Sequence, residues 1–187
     1  MKNNLFKWIV VLAVVFLVAE GFSIYRSLNF WKNHSLNGDS PWGSTMGLLD
    51  LSLPDLQQHA QNLHQWQGRV LVVNFWAPWC EPCKAELPLL NKAQAGWSPD
   101  QVRIVGIGID EPQALREYLR QQPLGYPVLV GTSDTLQLTK AYGNSQKALP
   151  FTLVFDATGH VVLEKLGRLH GNELDQAILT ATHARQS

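Results

Sequence analysis

Charge is scarce in this chain and cysteine scarcer. Only 16% of its 187 residues are charged, and the 15 basic and 15 acidic side chains cancel. That balance excludes the basic excess or stripe by which a nucleic-acid-binding domain is recognised. No acidic or basic run marks a solvating tail, and no internal repeat points to a solenoid. Cysteine occurs twice, at Cys80 and Cys83, so none is left for a structural disulfide or a lipid-bearing N-terminal cysteine. Any thiol chemistry is therefore confined to one place. Apolar residues, by contrast, make up 45% of the chain, enough to bury a full core without covalent staples.

The longest apolar run comes first. Trp8 to Ala19 are 12 consecutive apolar residues behind Lys2 and Lys7, and Glu20 is the one charge before Tyr25. As a helix, Trp8–Tyr25 spans about 27 Å, just short of a bilayer's hydrocarbon core. Residues 1–26 are thus expected to be a cytoplasmic N-terminus and membrane anchor. A signal peptide is the alternative, although Ala19-Glu20-Gly21 is a poor Ala-x-Ala site. Arg26 and Lys32 closely follow the span, so the positive-inside bias is small. Both readings export the C-terminal domain. Residues 27–47 mix Asn, Ser, Gly and His and read as a linker. Trp31 and Trp42 within it suit either a membrane interface or a place on the domain.

Residues 48–187 carry the pattern of one α/β domain. Val70–Trp76 and Val102–Ile109 are short, β-branched apolar runs, the signature of strands buried on both faces. A helix from Cys80 to about Ala95, containing Pro88 as a kink, makes the connection a right-handed parallel crossover. Asp110 is expected to cap the next helix, with Ala114, Leu115, Tyr118 and Leu119 on its inner face. A strand over Pro127–Val130 comes next, then a helix over Asp134–Tyr142 stopped by Gly143. Phe151–Phe155 and His160–Leu166 form a hairpin about Asp156-Ala157-Thr158-Gly159. A final helix from Asn172 buries Leu174, Ala177, Ile178 and Ala181. Leu48–Leu53 is expected to add an edge strand. The result is a mixed central sheet flanked by helices.

A Cys-x-x-Cys pair is either half of a zinc site or a redox dithiol. A structural zinc takes four ligands, and no second pair exists. His59, His64, His160, His170 and His183 lack zinc-finger spacing. Strand, turn, Cys-x-x-Cys, helix instead puts Cys80 at a helix N-terminus, where free N–H groups and the helix dipole favour a thiolate. Cys80 would attack a disulfide, and Cys83, one turn on, would resolve the mixed disulfide. The expected redox group is the Cys80–Cys83 disulfide itself, with no cofactor and no metal.

The stretch Phe75-Trp76-Ala77-Pro78-Trp79-Cys80-Glu81-Pro82-Cys83-Lys84-Ala85-Glu86-Leu87-Pro88 resembles the active-site segment of the TlpA/ResA/CcmG group. These are membrane-anchored, thioredoxin-like thiol–disulfide oxidoreductases. The resemblance runs from Leu48 to the C-terminal helix. It implies a thioredoxin-like fold, with Leu149–Pro150 as the cis-proline loop beside the dithiol and Leu149 offering its backbone to substrate. The long segment between Ile109 and Leu149 fits this group and the related peroxiredoxins. The resemblance also implies that Glu86 lies near the dithiol and tunes its acidity. A partly buried carboxylate there would exchange a proton with Cys83; the plainer reading is a solvated helix glutamate. Glu81 and Pro82 between the cysteines would tune the potential, Glu81 alternatively meeting the partner, and Trp79, beside the nucleophile, would shield it or contact substrate. Trp76 reads as core, and Asn74 as a hydrogen-bonded break in a buried strand.

Reduction of specific disulfides outside the cytoplasm is the activity that the resemblance implies. Apocytochrome c cysteines or copper-site thiols would be substrates. A transmembrane donor of the CcdA or DsbD kind would return electrons, at the periplasmic face of a bacterial inner membrane. Three rivals stand beside it. One is a disulfide-forming oxidase. The second is a peroxiredoxin-like peroxidase, which wants threonine where Cys80 stands. The third is a copper-binding thiol chaperone.

Overall fold

The computed structural model describes residues 47–183; the expected anchor and most of the linker lie outside them. A five-stranded sheet organises the domain. Its strands are β3 (Val70–Trp76), β4 (Val102–Ile109), β5 (Val128–Gly131), β6 (Phe151–Phe155) and β7 (Val161–Leu166), in the order β5-β4-β3-β6-β7. β3 pairs in parallel with β4, and β4 with β5; β6 runs antiparallel to β3 and β7. The mixed sheet expected from the sequence is therefore present. β3 is central and buried at all seven positions, as its unbroken apolar run requires.

The two faces of β3 are covered differently. Val70, Val72 and Trp76 share a core with Cys83, Leu87 and Leu90 of helix α1 (Glu81–Gly96) and with Leu174 and Ile178 of α4 (Gly171–His183). Leu115 and Tyr118 of α2 (Pro112–Gln121) pack on the same cluster. A Cβ on Gly108 would come within 2.5 Å of Leu115 Cδ2, so only glycine lets α2 sit this close to β4. On the opposite face Gly131 lies against Ile107, Ile109 and Thr135, beside the short helix α3 (Ser133–Leu138).

Three local expectations need correction. Leu48–Leu53 is not an edge strand of the main sheet. Leu48–Asp50 is a 3-10 turn, and β1 (Ser52–Pro54) pairs with β2 (Ala60–Asn62) in a separate hairpin. A bridge from Asp55 to Leu129 then touches the β5 edge. Asp110 does not cap α2. Its Oδ1 accepts from the N–H of Glu111, which is the N-cap, and Pro112 occupies the first turn, where its missing N–H costs nothing. The helix expected over Asp134–Tyr142 is two pieces, α3 and a 3-10 turn over Thr139–Tyr142, ended by Gly143 at φ 86°. Thr139 turns its hydroxyl onto the Leu136 carbonyl at this junction.

Among the described residues, no helix is long and apolar enough to cross a membrane.

Candidate active site

β3 ends at Trp76, and the next turn delivers Cys80 to the start of α1. Cys80 N–H donates to the Ala77 carbonyl, which closes the turn. Cys80 is then the N-cap of α1, in extended conformation, with its Sγ 3.3 Å from the Cys83 N–H. A sulfur in this place receives the unpaired N–H groups and the positive end of the helix dipole. Cys80 and Cys83 are joined as a disulfide, with their Cα atoms 5.2 Å apart. Cys80 keeps 6% of its surface exposed and Cys83 none, so an incoming molecule meets Cys80 first.

Trp79, at 65% exposure, stands beside Cys80 as a large apolar side chain in solvent. Glu81 and Pro82 are exposed in the first turn of α1, and Glu81 is ion-paired with Lys84. Trp76 is core, as expected, and its ring packs at 5.2 Å against Tyr118.

Leu149–Pro150 is a cis peptide. Phe151 on β6 is registered with Phe75 on β3, so Pro150 stands at the end of the sheet from which Cys80 emerges. Leu149 packs against the core cluster that contains both cysteines. Sequence reasoning missed how this loop is held. Asn144 is fully buried; its Nδ2 donates to the Ala148 carbonyl at 3.0 Å, and its Oδ1 accepts from the Ala148 N–H at 2.9 Å. One amide thus closes the turn before Leu149, with Lys147 at φ 55° inside it. Asn144→Ala is expected to loosen the loop. The Michaelis constant for a protein disulfide should rise several-fold while the dithiol's reduction potential stays put. Steady-state kinetics and redox titration of the same variant check both halves.

Glu86 is not a solvated helix glutamate. It is 1% exposed, points inward from α1, and is bound at both oxygens. Oε1 accepts from Asn74 Nδ2 at 2.8 Å, and Oε2 from the Leu169 N–H at 2.7 Å. Burial pushes its carboxyl above the usual range, while Leu169, Asn74 and the nearby Arg168 pull the other way. Glu86 lies one helical turn from Cys83, and residues three apart on a helix are neighbours.

A helix-capping dithiol, a cis-proline loop at the same sheet end and a buried glutamate one turn on form the site. The family model described as AhpC/TSA matches residues 47–164. The chain belongs to the AhpC/TSA family. Within it, this AhpC/TSA-family protein is 30% identical to the thiol-disulfide oxidoreductase ResA of Geobacillus kaustophilus, over 79% of each chain. A thioredoxin-related protein from Neisseria meningitidis serogroup B superposes with a TM-score of 0.62 at 31% identity, over 70% of this chain and 98% of that one. A putative thiol:disulfide interchange protein DsbE from Chlorobium tepidum gives 0.62 at 28%, over 71% and 93%. The AhpC/TSA-family chain is accordingly a thioredoxin-like thiol–disulfide oxidoreductase of the TlpA/ResA/CcmG kind.

Proposed function

We propose that the protein is an extracytoplasmic reductase of specific protein disulfides, with Cys80 as nucleophile and Cys83 as resolving thiol. The hydrogen bond from the Cys83 N–H to Cys80 Sγ carries the assignment, because it is the sulfur at the helix cap that gains most from being a thiolate.

In the proposed cycle the Cys80 thiolate attacks one sulfur of the substrate disulfide. A Cys80–substrate bond forms, and the other substrate sulfur leaves as a thiolate. Glu86, as a carboxylate, takes the Cys83 proton. The Cys83 sulfur then attacks Cys80, the mixed bond breaks, and the second substrate sulfur departs. Two electrons pass to substrate and Cys80–Cys83 is left oxidised, so a dithiol donor must return two electrons. Trp79, exposed beside Cys80, and the backbone of the Leu149–Pro150 loop are the surface on which the substrate polypeptide would lie. Glu81 and Pro82, between the cysteines, tune the potential.

The apolar run before residue 27 supports a reaction at a membrane, with the catalytic domain on the outer side. Substrates there are cysteine pairs awaiting haem or copper, which an oxidising compartment closes and which must be reopened. A transmembrane thiol carrier of the CcdA or DsbD kind fits as donor, since reducing equivalents originate in the cytoplasm.

The reduction potential of the isolated dithiol at neutral pH tests the direction. A value near or below about −230 mV supports a reductase. One near about −120 mV makes disulfide formation the better reading.

A further inference from the structure

Asn74 is the polar break in β3, and the cycle above makes no use of it. It is fully buried, in the β3 row that also holds Val70, Val72 and Trp76. Its Nδ2 donates twice, to Glu86 Oε1 at 2.8 Å and to Thr152 Oγ1 at 2.9 Å. Thr152 is its direct cross-strand neighbour on β6 and is equally buried. The other end of the amide, Oδ1, is buried with no partner.

This orientation suits one protonation state of Glu86. A carboxylate oxygen can only accept, so Nδ2 must face it. A protonated carboxyl offers an O–H instead. Leu169 N–H occupies Oε2 from the backbone and fixes that oxygen as an acceptor, so the proton belongs on Oε1, facing Asn74. A half-turn of the amide exchanges its oxygen and nitrogen with little movement. Oδ1 then accepts from the Glu86 O–H and from the Thr152 hydroxyl, which rotates to serve either way. One amide atom goes unpartnered in either orientation, the Oδ1 acceptor before the turn and the Nδ2 group after it, so the matched bond to the Glu86 O–H has to offset the change.

We propose that Asn74 is a positioning residue whose side-chain amide turns over with the protonation of Glu86, giving the carboxyl a matched partner both before and after it takes a proton. Its catalytic consequence rests on the reading of Glu86 as the proton acceptor for Cys83. Other ionisable groups around the carboxyl are the Arg168 guanidinium, from the β7–α4 connection, and the Tyr126 phenol, ahead of β5. Arg168 favours the anion. Tyr126 stays protonated, because burial and then the Glu86 charge push its phenol up. Neither is hydrogen-bonded to Glu86, so each biases the equilibrium without choosing the oxygen.

The test is an NMR titration of the oxidised protein, in which no cysteine ionises. The Glu86 side-chain carbon and the Asn74 side-chain amide are followed from pH 4 to 10. One shared midpoint is expected. Glu86→Gln presents an N–H where the protonated acid has its O–H, so Asn74 should sit at the wild type's acid-limit shifts at every pH. Asn74→Leu should raise the Glu86 midpoint, because the charge-assisted bond to the anion is the stronger of the two lost. Asn74 resonances that stay flat while Glu86 titrates overturn the proposal, as does a Glu86 that keeps one protonation state throughout. Should Asn74→Leu fail to fold, the wild type and Glu86→Gln decide alone. Disulfide reductase turnover of the wild type is measured separately. Coupled titrations in an inactive protein sink the proposed function and leave the amide turn standing; flat Asn74 resonances in an active protein do the reverse.

Discussion

Cys83→Ala accumulates a covalent complex with its substrate, and Cys80→Ala accumulates none. That difference is expected because the two sulfurs are placed unequally. Cys80 is the partly exposed cap of α1 and accepts the Cys83 N–H, whereas Cys83 is wholly buried in the first turn. Attack must come from the sulfur a polypeptide can reach, and the thiolate is favoured where helix N–H groups converge. Without Cys83, the Cys80–substrate bond has no internal thiol to break it. A band removed by reductant on a denaturing gel, and a mass equal to enzyme plus substrate, would establish the trap. Both variants should lose multiple-turnover reductase activity entirely. Equal trapping by the two variants would reverse the roles given to them.

Two substitutions at Glu86 should behave very differently. Glu86→Ala strands the buried Leu169 N–H without an acceptor and takes one of the two acceptors from Asn74 Nδ2, leaving it only Thr152 Oγ1. At about 1–3 kcal/mol for an orphaned donor, the loss takes a large share of a domain's stability. Glu86→Gln keeps an acceptor for Leu169 and should fold normally. Its effect appears in pH dependence instead. Burial, acting first, sets the native carboxyl above its unfolded value, against Leu169, Asn74 and Arg168. Between those two values the native state binds more protons than the unfolded one, so stability falls as pH rises. The Glu86 contribution is fully present below the unfolded value and is lost through the native one. Denaturant melts across pH should show this fall in the wild type and its absence in Glu86→Gln. A parallel pair of curves would mean that Glu86 ionises alike in the folded and unfolded chain.

What the sequence discloses here is what is local. The Cys80-x-x-Cys83 spacing, the apolar run of Val70–Trp76 and the turn at Asp156–Gly159 each declare themselves within a few residues, and all are present. The Glu86 network does not. Asn74 meets Glu86 12 positions away and Thr152 78 away, and Glu86 meets Leu169 83 away. Only the folded sheet brings these together, so Asn74 reads merely as a polar break. Asn144 escaped for another reason: its bond to Ala148 is local, but an asparagine in a loop has many uses. The misread Leu48–Leu53 segment shows the ambiguity of a short apolar run. Leu48, Leu51 and Leu53 are all buried, yet a 3-10 turn and a three-residue strand bury them as well as one strand would.

The Cys80 cap ties the electrochemistry of this protein to its melting behaviour. The Cys83 N–H already meets Cys80 Sγ in the disulfide, but the charge-assisted strength of that contact and the pull of the helix dipole belong to the reduced form alone, because a sulfur in a disulfide carries no charge. Reduced and oxidised protein therefore unfold at different temperatures. The difference between their unfolding free energies at one temperature is the same free energy that separates the native dithiol's potential from that of the two cysteines in the unfolded chain, at about 1.4 kcal/mol for each 30 mV. A stronger cap stabilises the reduced form and makes the protein a better oxidant; a weaker one makes it a better reductant. Substitutions in the first turn of α1 are thus voltage settings, read from the unfolding free energies of the reduced and oxidised forms at one temperature.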